Sequence, residues 1–401
     1  MATLAHTIPP HVHPQQVFEF DIYADQRITD DVQGSYADVL RDAPDIFWSP
    51  LNGGHWIVQR HDLIAEVVKN PAVFSAREMQ IPRVENPPFF IPLSLDPPEN
   101  VPYRHVLMPK FSPRSVTEME GKMRTMAAEI VAEVADKGAC DFVHDVAARF
   151  PVSVFMVMMG LPLDKLHEFR AIADKHFNAR TAEELGVSMG RIFGIFNELI
   201  AYRQANPGDD LITHFLTVDF EGRKLSQDEI LAMCGVLFLG GMDTVTNVTA
   251  FSFQHLATDP ALQARLAADP ALLARFAEEG LRMFGVIGTP RLVVQDFDTH
   301  GVSFRKGDMV LNALWQSGRD PAKLDNPNAF DIDRKDMPHL NFSTGPHLCL
   351  GHALARAEMR ILAEEWLKRV PTFRAAPGAR HGFRIGTVIA LESLPLEWDP
   401  A

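Results

Sequence analysis

Apolar residues recur every three or four positions over several stretches of the chain, which is the spacing of helices with one buried face. The stretches 115–137, 150–159 and 183–206 show it, and we interpret them as bundle helices with no chemistry of their own. Shorter strand-like segments are predicted at 55–60, 291–294, 307–314 and 384–394, and a helix at 61–69. The pattern therefore predicts a mainly α-helical protein with a small β-rich part.

The most distinctive predicted helix begins with the capping-box sequence Ser226-Gln227-Asp228-Glu229 and can continue to Thr258. At 1.5 Å per residue it would be on the order of 48 Å long. Its middle contains Gly240-Gly241-Met242-Asp243-Thr244, which weakens a helix where it should be most buried. Either something lies against this weak segment or it is a harmless kink.

A proline-rich loop is predicted at 81–98, where Phe89 and Phe90 either line a pocket or cover the core. Asp96-Pro97-Pro98-Glu99 then opens a helix. Asn100 and Arg104 are four residues apart in that helix, so they share one face.

Composition limits the class of protein. The 401 residues carry a net charge of −14, so nucleic acid is not an expected partner. We see no repeat or linker and predict one domain over 1–401, with 1–20 as a loose N-terminal arm. Three widely spaced cysteines favour a reducing compartment. There is no signal-peptide pattern, and the apolar run 231–239 is too short to span a bilayer, so we expect a cytoplasmic protein without a membrane.

The strongest chemical signal is Phe342-Ser-Thr-Gly345-Pro-His-Leu-Cys349-Leu-Gly351, directly before a predicted helix that extends to Leu367. A helix N-terminus favours a thiolate, so Cys349 is a candidate metal ligand. The two glycines would let the backbone approach a large flat ligand. The alternative, a buried structural cysteine, fits a lone cysteine better than it fits this whole string.

The string Phe342-x-x-Gly345-x-x-x-Cys349-x-Gly351 resembles the haem-binding loop of the cytochromes P450. The resemblance implies that Cys349 binds the iron of haem b, and a cysteine without a nearby second ligand set fits haem better than a closed zinc site. Ser343 stands where the family usually has a second glycine.

Three further motifs are similar to those of the family. The segment 240–244 resembles its distal helix, where Gly240 and Gly241 would clear space for dioxygen and substrate, Thr244 would hydrogen-bond the oxygen and Asp243 would relay protons. Glu279-x-x-Arg282 with Arg334 resembles a buried charge cluster of structural importance. Four residues would bind the haem propionates by resemblance: Asn100, Arg104, Arg291 and His347.

The family resemblance implies a triangular, mostly helical domain with haem buried between the distal helix and the cysteine loop. It also implies a monooxygenase that receives electrons from a [2Fe-2S] ferredoxin and its NAD(P)H-dependent reductase. The chain has no Gly-x-Gly-x-x-Gly motif, so the donor must be a separate protein. We expect a monomer.

Within the family, the segments 240–244, 347–351 and 394–400 resemble those of the bacterial camphor hydroxylases. Pro88 stands where those enzymes have a tyrosine that binds the camphor ketone. We therefore expect camphor to be a poor substrate, and a compact terpenoid or norisoprenoid ketone such as an ionone to be a better one. Eight residues are candidates for the pocket: Phe90, Leu93, Val236, Leu239, Gly240, Ile287, Thr387 and Val388.

Two other functions stay open at this point. A haem-thiolate peroxygenase would use hydrogen peroxide and no ferredoxin, although such proteins tend to lack the pair that Asp243 and Thr244 supply. A non-enzymatic haem carrier or sensor would not need a roomy apolar pocket.

Overall fold

The computed structural model describes residues 7–85, 87–177, 179 and 182–399. Helices account for about half of this part of the chain and form its main framework, as the apolar periodicity predicts. They are α1 Val32–Arg41, α2 His61–Val68, α3 Asn100–Phe111, α4 Pro113–Ala135, α5 Arg149–Met159, α6 Leu166–Phe177, α7 Ala182–Ala205, α8 Leu211–Thr217, α9 Gln227–Met242, α10 Thr244–Leu256, α11 Pro260–Ala268, α12 Leu273–Met283, α13 Leu314–Ser317 and α14 His352–Arg369.

The strands are short and fall into separate small sheets. They are β1 Ile46–Ser49, β2 His55–Val58, β3 Phe74–Ser75, β4 Ala139–Asp141, β5 Thr289–Val293, β6 Phe297–Thr299, β7 Val302–Phe304, β8 Met309–Asn312, β9 Arg374–Ala375, β10 Phe383–Arg384, β11 Ala390–Leu391 and β12 Pro395–Glu397. The largest sheet has the order β1-β2-β8-β5-β3, and β4-β12-β9 form a second. β2 and β8 are parallel, with Trp56 opposite Val310, whereas β5 and β8 are antiparallel.

The five-stranded sheet has its own apolar core. Every residue of β1 and β2 is buried, and Trp48 packs edge-on against Trp56 with ring centroids 5.3 Å apart. Trp56 in turn packs against Phe304. Aromatic contacts therefore help to hold this β-rich part together, and the contact between Trp56 and Phe304 joins segments that are distant in the chain.

The helical part packs around α14 and the two helices α9 and α10. α14 lies along α4, and α10 lies between α12 and the segment 143–147. Phe142 stacks on Phe253 of α10 at 4.1 Å, and Trp366 of α14 meets both rings edge-on. α9 packs against α5 and α7 through a second apolar cluster.

The predicted long helix is wrong in one respect, because it is interrupted at Asp243. The capping box at Ser226 and Glu229 is present, with both hydrogen bonds made. Asp243 then adopts φ −125° and ψ −35°, so it ends α9 and precedes α10. By length and composition alone, the helical stretch Gln227–Leu256 could cross a membrane. Its contacts with the helices around it are those of a core helix.

Two further expectations from the sequence need correction. The strand predicted at 384–394 is a hairpin of two-residue strands, in which Arg384 pairs with Ala390. The N-terminal arm is not loose from residue 11 onward, since Val12 and Phe20 are buried and His11 Nε2 lies 3.0 Å from Asp308 Oδ2. Residues 1–6 of that arm lie outside the described residues.

Candidate haem and substrate site

The cysteine loop closes on itself through its backbone. The Cys349 N–H donates to the Phe342 carbonyl oxygen at 2.8 Å, and the Leu348 N–H donates to Gly345 at 3.1 Å. Gly345 has φ +68°, and a Cβ there would lie 3.0 Å from Lys69 Cγ, just beyond the end of α2. Glycine at this position therefore satisfies both the left-handed backbone and the close packing.

Ser343 also has a left-handed backbone, with φ 58°, and its Oγ is buried without a partner. The departure from the family pattern therefore puts a strained residue where a glycine would be relaxed. The loop tolerates it because the Ser343 N–H donates to Leu340 at 2.6 Å and the closing bond from Cys349 holds the turn.

Cys349 lies two residues before Gly351, the N-cap of α14. The residue is accessible to solvent, yet protein surrounds its sulfur, and this burial raises the pKa of the thiol. The Gly351 N–H and the charges of Arg104 and Arg356 oppose the rise but do not overcome it. The expected stabilisation of a thiolate by the helix end is thus outweighed in the protein alone, and a bound cation would reverse the balance.

The four predicted propionate-binding residues include three polar side chains that are buried without adequate partners. Both amide atoms of Asn100 lack a hydrogen bond, as does His347 Nε2. The Arg291 guanidinium is buried, and the hydrogen bond that we find for it goes to the carbonyl of its own neighbour Pro290, at 2.7 Å. Buried polar groups are normally paired, so this cluster requires an acceptor.

The charges in this cluster identify the kind of acceptor. Burial lowers the pKa of Arg291 to about 10, although Asp96 opposes the change. Burial, together with Arg291, lowers the pKa of His347 to about 4. Each group is therefore penalised for being charged in the protein alone, and an anionic ligand would relieve the penalty. The two propionates of haem fit this set of donors.

Arg104 connects this cluster to the cysteine loop. Its Nη2 donates to the Leu348 carbonyl oxygen at 2.7 Å, and burial lowers its pKa while the nearby Cys349 raises it. The helix α3, which also carries Asn100, is thereby fixed to the residue preceding the cysteine. The same interaction leaves other N–H groups of the guanidinium available for a ligand.

On the distal side, Thr244 and Asp243 lie at the junction of α9 and α10. Thr244 Oγ1 donates to the Gly240 carbonyl oxygen at 2.9 Å. Asp243 Oδ2 accepts a hydrogen bond from Arg384 Nη2 at 2.9 Å, and both side chains are about nine-tenths buried. An acid and an alcohol are thus adjacent where the helix is broken, which is an arrangement able to hold and pass protons.

The adjacent glycines Gly240 and Gly241 have different surroundings. A Cβ on Gly240 would meet no atom within 4 Å, so this position faces open space as expected. A Cβ on Gly241 would lie 2.8 Å from the Phe155 ring. Gly241 therefore allows α5 to pack closely on α9, and the expectation that it clears room for dioxygen and substrate is wrong.

The predicted pocket residues come from three segments. Ile287 and Val388 form an isolated antiparallel bridge, flanked by the Gly288 N–H bond to Thr387 at 2.9 Å. Phe90 packs on α9, where a Cβ on Gly235 would lie 3.3 Å from its ring, whereas Phe89 is 49% exposed. The proline-rich loop thus sends one aromatic side chain inward and one outward. Of the eight predicted pocket residues, Gly240 is exposed. The other seven are half-buried: Phe90, Leu93, Val236, Leu239, Ile287, Thr387 and Val388.

The structural cluster comes together around Glu279. Arg282 Nε and Nη2 each donate to its carboxylate at 2.6 Å, and neither side chain has any exposed surface. Arg334 Nε lies 3.3 Å from the same carboxylate and also binds carbonyl oxygens of the 325–329 turn. Asn341 Nδ2 donates to the Leu281 carbonyl, which attaches the start of the cysteine loop to the helix that carries this pair.

Several residues near the site were missed by sequence reasoning. Arg384 was assigned only to a strand, although it binds Asp243. Asp96 was assigned to the start of a helix, but its Oδ1 lies 3.9 Å from His347 Nε2. Phe193 of α7 lies over Gly235, so that helix also contributes to the pocket region. None of these has a local sequence signal, because each depends on a contact with a distant segment.

Comparisons with known proteins agree with this geometry. A family model described as cytochrome P450 matches residues 198–371. The probable cytochrome P450 127A1 of Sinorhizobium fredii is 32% identical, covering 98% of this chain and 97% of its own. Linalool 8-monooxygenase of Pseudomonas putida is 26% identical, covering 93% and 96%. The crystal structure of CYP101C1 is 32% identical with a TM-score of 0.90, covering 98% and 100%. That of CYP101J2 is also 32% identical, with a TM-score of 0.88, covering 98% and 99%.

Proposed function

The chain belongs to the cytochrome P450 family, and we propose that this haem b monooxygenase hydroxylates a compact apolar terpenoid or norisoprenoid ketone such as an ionone. The observation that carries the proposal is the make-up of the pocket segments. Their side chains are hydrocarbon at Phe90, Leu93, Leu239 and Val388, and Pro88 is exposed and has no side-chain donor. Apart from the Thr387 hydroxyl, the predicted pocket residues carry no side-chain donor, so the substrate would be selected mainly by shape.

The terpenoid assignment has independent support. The relative from Pseudomonas putida, which aligns with 93% of this chain, is named for the oxidation of linalool, an acyclic terpenoid. The two solved CYP101 structures share the whole fold with this chain. Most of the predicted pocket residues have hydrocarbon side chains, which suits a compact apolar terpenoid.

The haem residues have distinct proposed roles. Cys349 binds the iron, and the loop formed by Phe342 and Gly345 positions its sulfur. Arg104 and Arg291 offset the two propionate charges. Asn100 and His347 supply neutral hydrogen bonds to the same groups.

When bound, the haem activates dioxygen so that one atom enters a C–H bond and the other leaves as water, consuming two electrons and two protons. The chain must deliver those protons to a dry site. We assign this role to Asp243 as the relay and to Thr244 as the hydroxyl that hydrogen-bonds the oxygen being reduced. Both stand at the helix break, and Gly240 leaves open space beside them.

The substrate proposal is tested by adding camphor and β-ionone separately to the purified ferric holoprotein. We expect β-ionone to shift the haem to the high-spin form at micromolar concentration and to yield a hydroxylated product during turnover. Camphor should need a much higher concentration. Tight binding of camphor, or no shift with any ionone, would contradict the proposed substrate class.

Electrons reach the haem, in our proposal, from a [2Fe-2S] ferredoxin with an NAD(P)H-dependent reductase. The surface next to the cysteine loop carries three exposed apolar side chains, Val101, Met108 and Leu348, beside the cationic Arg104. On a chain of net charge −14, a local apolar and basic patch suits an acidic donor.

Met108 allows a charge of either sign to be introduced into that patch, because its side chain is 50% exposed. Met108→Glu should raise the KM for ferredoxin, and Met108→Lys should leave it unchanged or lower it. Substrate binding to the ferric protein should be the same in both variants. An equal effect of the two charges would argue against docking at this surface.

We also propose that the enzyme works as a cytoplasmic monomer. Sedimentation tests the oligomeric state, and cell fractionation tests the location.

A further inference from the structure

We propose that Arg384 is a positioning residue for proton delivery, which fixes the Asp243 carboxylate at the helix break from the hairpin that lines the substrate pocket. The inference rests on the proposed function of Asp243 and deepens it. Arg384 lies 141 residues beyond its partner in the chain, so only the fold brings them together.

The geometry of the pair supports a fixed orientation. Arg384 Nη2 lies 2.9 Å from Asp243 Oδ2, and the two side chains are 12% and 10% exposed. A charge-assisted hydrogen bond in such a shielded place holds its partners more firmly than one on the surface. Asp243 makes no side-chain cap to α10, so the helix does not itself orient the carboxylate.

The backbone at Asp243 explains why a second element is needed. Its carbonyl oxygen accepts bonds from the Asn247 N–H at 3.0 Å and from Asn247 Nδ2 at 2.8 Å. These bonds fix the main chain of the break but leave the carboxylate to be oriented from outside. The guanidinium of Arg384 supplies that restraint.

The position of Arg384 links this restraint to the pocket. It is the last residue of β10, and only Ile385 separates it from the turn that contains Gly386, Thr387 and Val388. Val388 of that turn bridges Ile287, and both are proposed to contact the substrate. A substrate that binds against this turn would therefore also fix the position of the hairpin whose Arg384 holds Asp243. Binding of substrate and readiness of the proton relay would thus be coupled through one two-stranded element.

The experiment uses the reconstituted holoenzyme with ferredoxin and reductase, and β-ionone as the substrate. It measures product and hydrogen peroxide formed per NAD(P)H consumed, and the solvent deuterium isotope effect on turnover. The variants are Arg384→Gln, Arg384→Lys, Asp243→Asn and the double variant Arg384→Gln with Asp243→Asn. The exposed Arg380 of the same segment gives the matched control, Arg380→Gln.

We expect Arg384→Gln to lower product per NAD(P)H by about tenfold, to raise peroxide release and to enlarge the isotope effect. Arg384→Lys should restore much of the coupling, because it keeps the charge. In the Asp243→Asn background the Arg384→Gln change should have little further effect, since Arg384 acts through Asp243. Arg380→Gln should behave as the wild type.

Three results would overturn the inference. Effects of Arg384→Gln and Asp243→Asn that add fully would show that Arg384 acts by another route. An unchanged isotope effect with a weakened β-ionone spin shift would show that it only shapes the pocket. Normal coupling in Arg384→Gln would remove its role altogether. If Asp243→Asn itself turned over like the wild type, the proposed relay would fail instead, which separates the two proposals. Should Arg384→Gln not retain haem, Arg384→Met, which also removes the charge but keeps an unbranched side chain, gives the same comparison in the two Asp243 backgrounds.

Discussion

Glu279 and Arg282 form a two-point ion pair, with both N–O distances at 2.6 Å and no exposed surface on either side chain. Three backbone carbonyls, those of Gly318, Pro327 and Ala329, accept the remaining guanidinium protons. The pair therefore ties α12 to the irregular segment that precedes the cysteine loop. We propose that the pair acts on how that segment folds and not on the chemistry.

Removing one member of this pair should be severely destabilising. Glu279→Gln leaves the Arg282 charge buried and unpaired, which costs about 3–5 kcal/mol. We expect little haem-containing protein and a large fall in the denaturant midpoint. The control is Arg265→Gln, which breaks an exposed pair with Asp333 and should cost less than about 1 kcal/mol. Comparable losses in the two variants would contradict a structural role specific to Glu279.

Replacing Ser343 by glycine should stabilise the cysteine loop. The change relieves a left-handed backbone and removes a buried hydroxyl without a partner, together worth about 1 kcal/mol. Ser343→Ala removes the hydroxyl but keeps the strain, so it should gain less. The denaturant midpoint and the rate of haem loss measure both variants. A less stable Ser343→Gly protein would mean that the hydroxyl binds the haem or a water molecule.

Cys349 should determine the carbon monoxide spectrum of the reduced protein. With its thiolate on the iron, the Soret band is strongly shifted to the red. Cys349→Ser should lose that band and the monooxygenase activity, because a serine hydroxyl is a poor electron donor to iron. Cys140→Ser, on the edge strand β4, should keep both. A red-shifted band in Cys349→Ser would overturn the ligand assignment.

The Thr244 hydroxyl should control how much reduced oxygen becomes product. Thr244→Ala removes the group that hydrogen-bonds the oxygen, so product per NAD(P)H should fall by about tenfold while peroxide rises. Thr244→Ser keeps a hydroxyl able to bind the Gly240 carbonyl and should stay close to the wild type. Unchanged coupling in Thr244→Ala would favour a different proton route or a peroxygenase.

His55 should make the protein acid-sensitive. Burial lowers its pKa from 6.5 to about 4, so the unfolded chain binds the proton more readily than the folded one. The stability that this difference represents is present above pH 6.5 and is lost as the pH falls towards 4, by about 3 kcal/mol. His55→Gln should flatten the dependence of unfolding free energy on pH across that window. The exposed His144→Gln should not, and an equal slope in all three proteins would contradict the assignment.

Local signals in the sequence predicted much of the helical framework. The capping box at Ser226 and Glu229, the helix after Cys349 and the apolar spacing of α4, α5 and α7 all lie within one or two residues of the observed bounds. Such features depend on neighbours three or four residues away, so the sequence contains the information directly. The cysteine motif is of the same kind, because ten consecutive residues carry it.

Where the sequence misled, the outcome depended on segments far apart in the chain. The break at Asp243 separates α9 from α10, although the residues on both sides have helical periodicity. We expected Gly241 to clear space as Gly240 does, but Gly241 packs against Phe155. The two positions differ because the helix directs them to different sides.

The sequence by itself determined the family, the haem-binding motif and the acid–alcohol pair at residues 243 and 244, since each is written in consecutive or helically spaced residues. Only the tertiary structure decided that Arg384 holds Asp243, that Asp96 lies near His347 and that Phe193 lies over the distal helix. Those contacts form because buried polar and aromatic groups must find partners wherever the packed fold provides them, and the spacing of residues along the chain does not encode that choice.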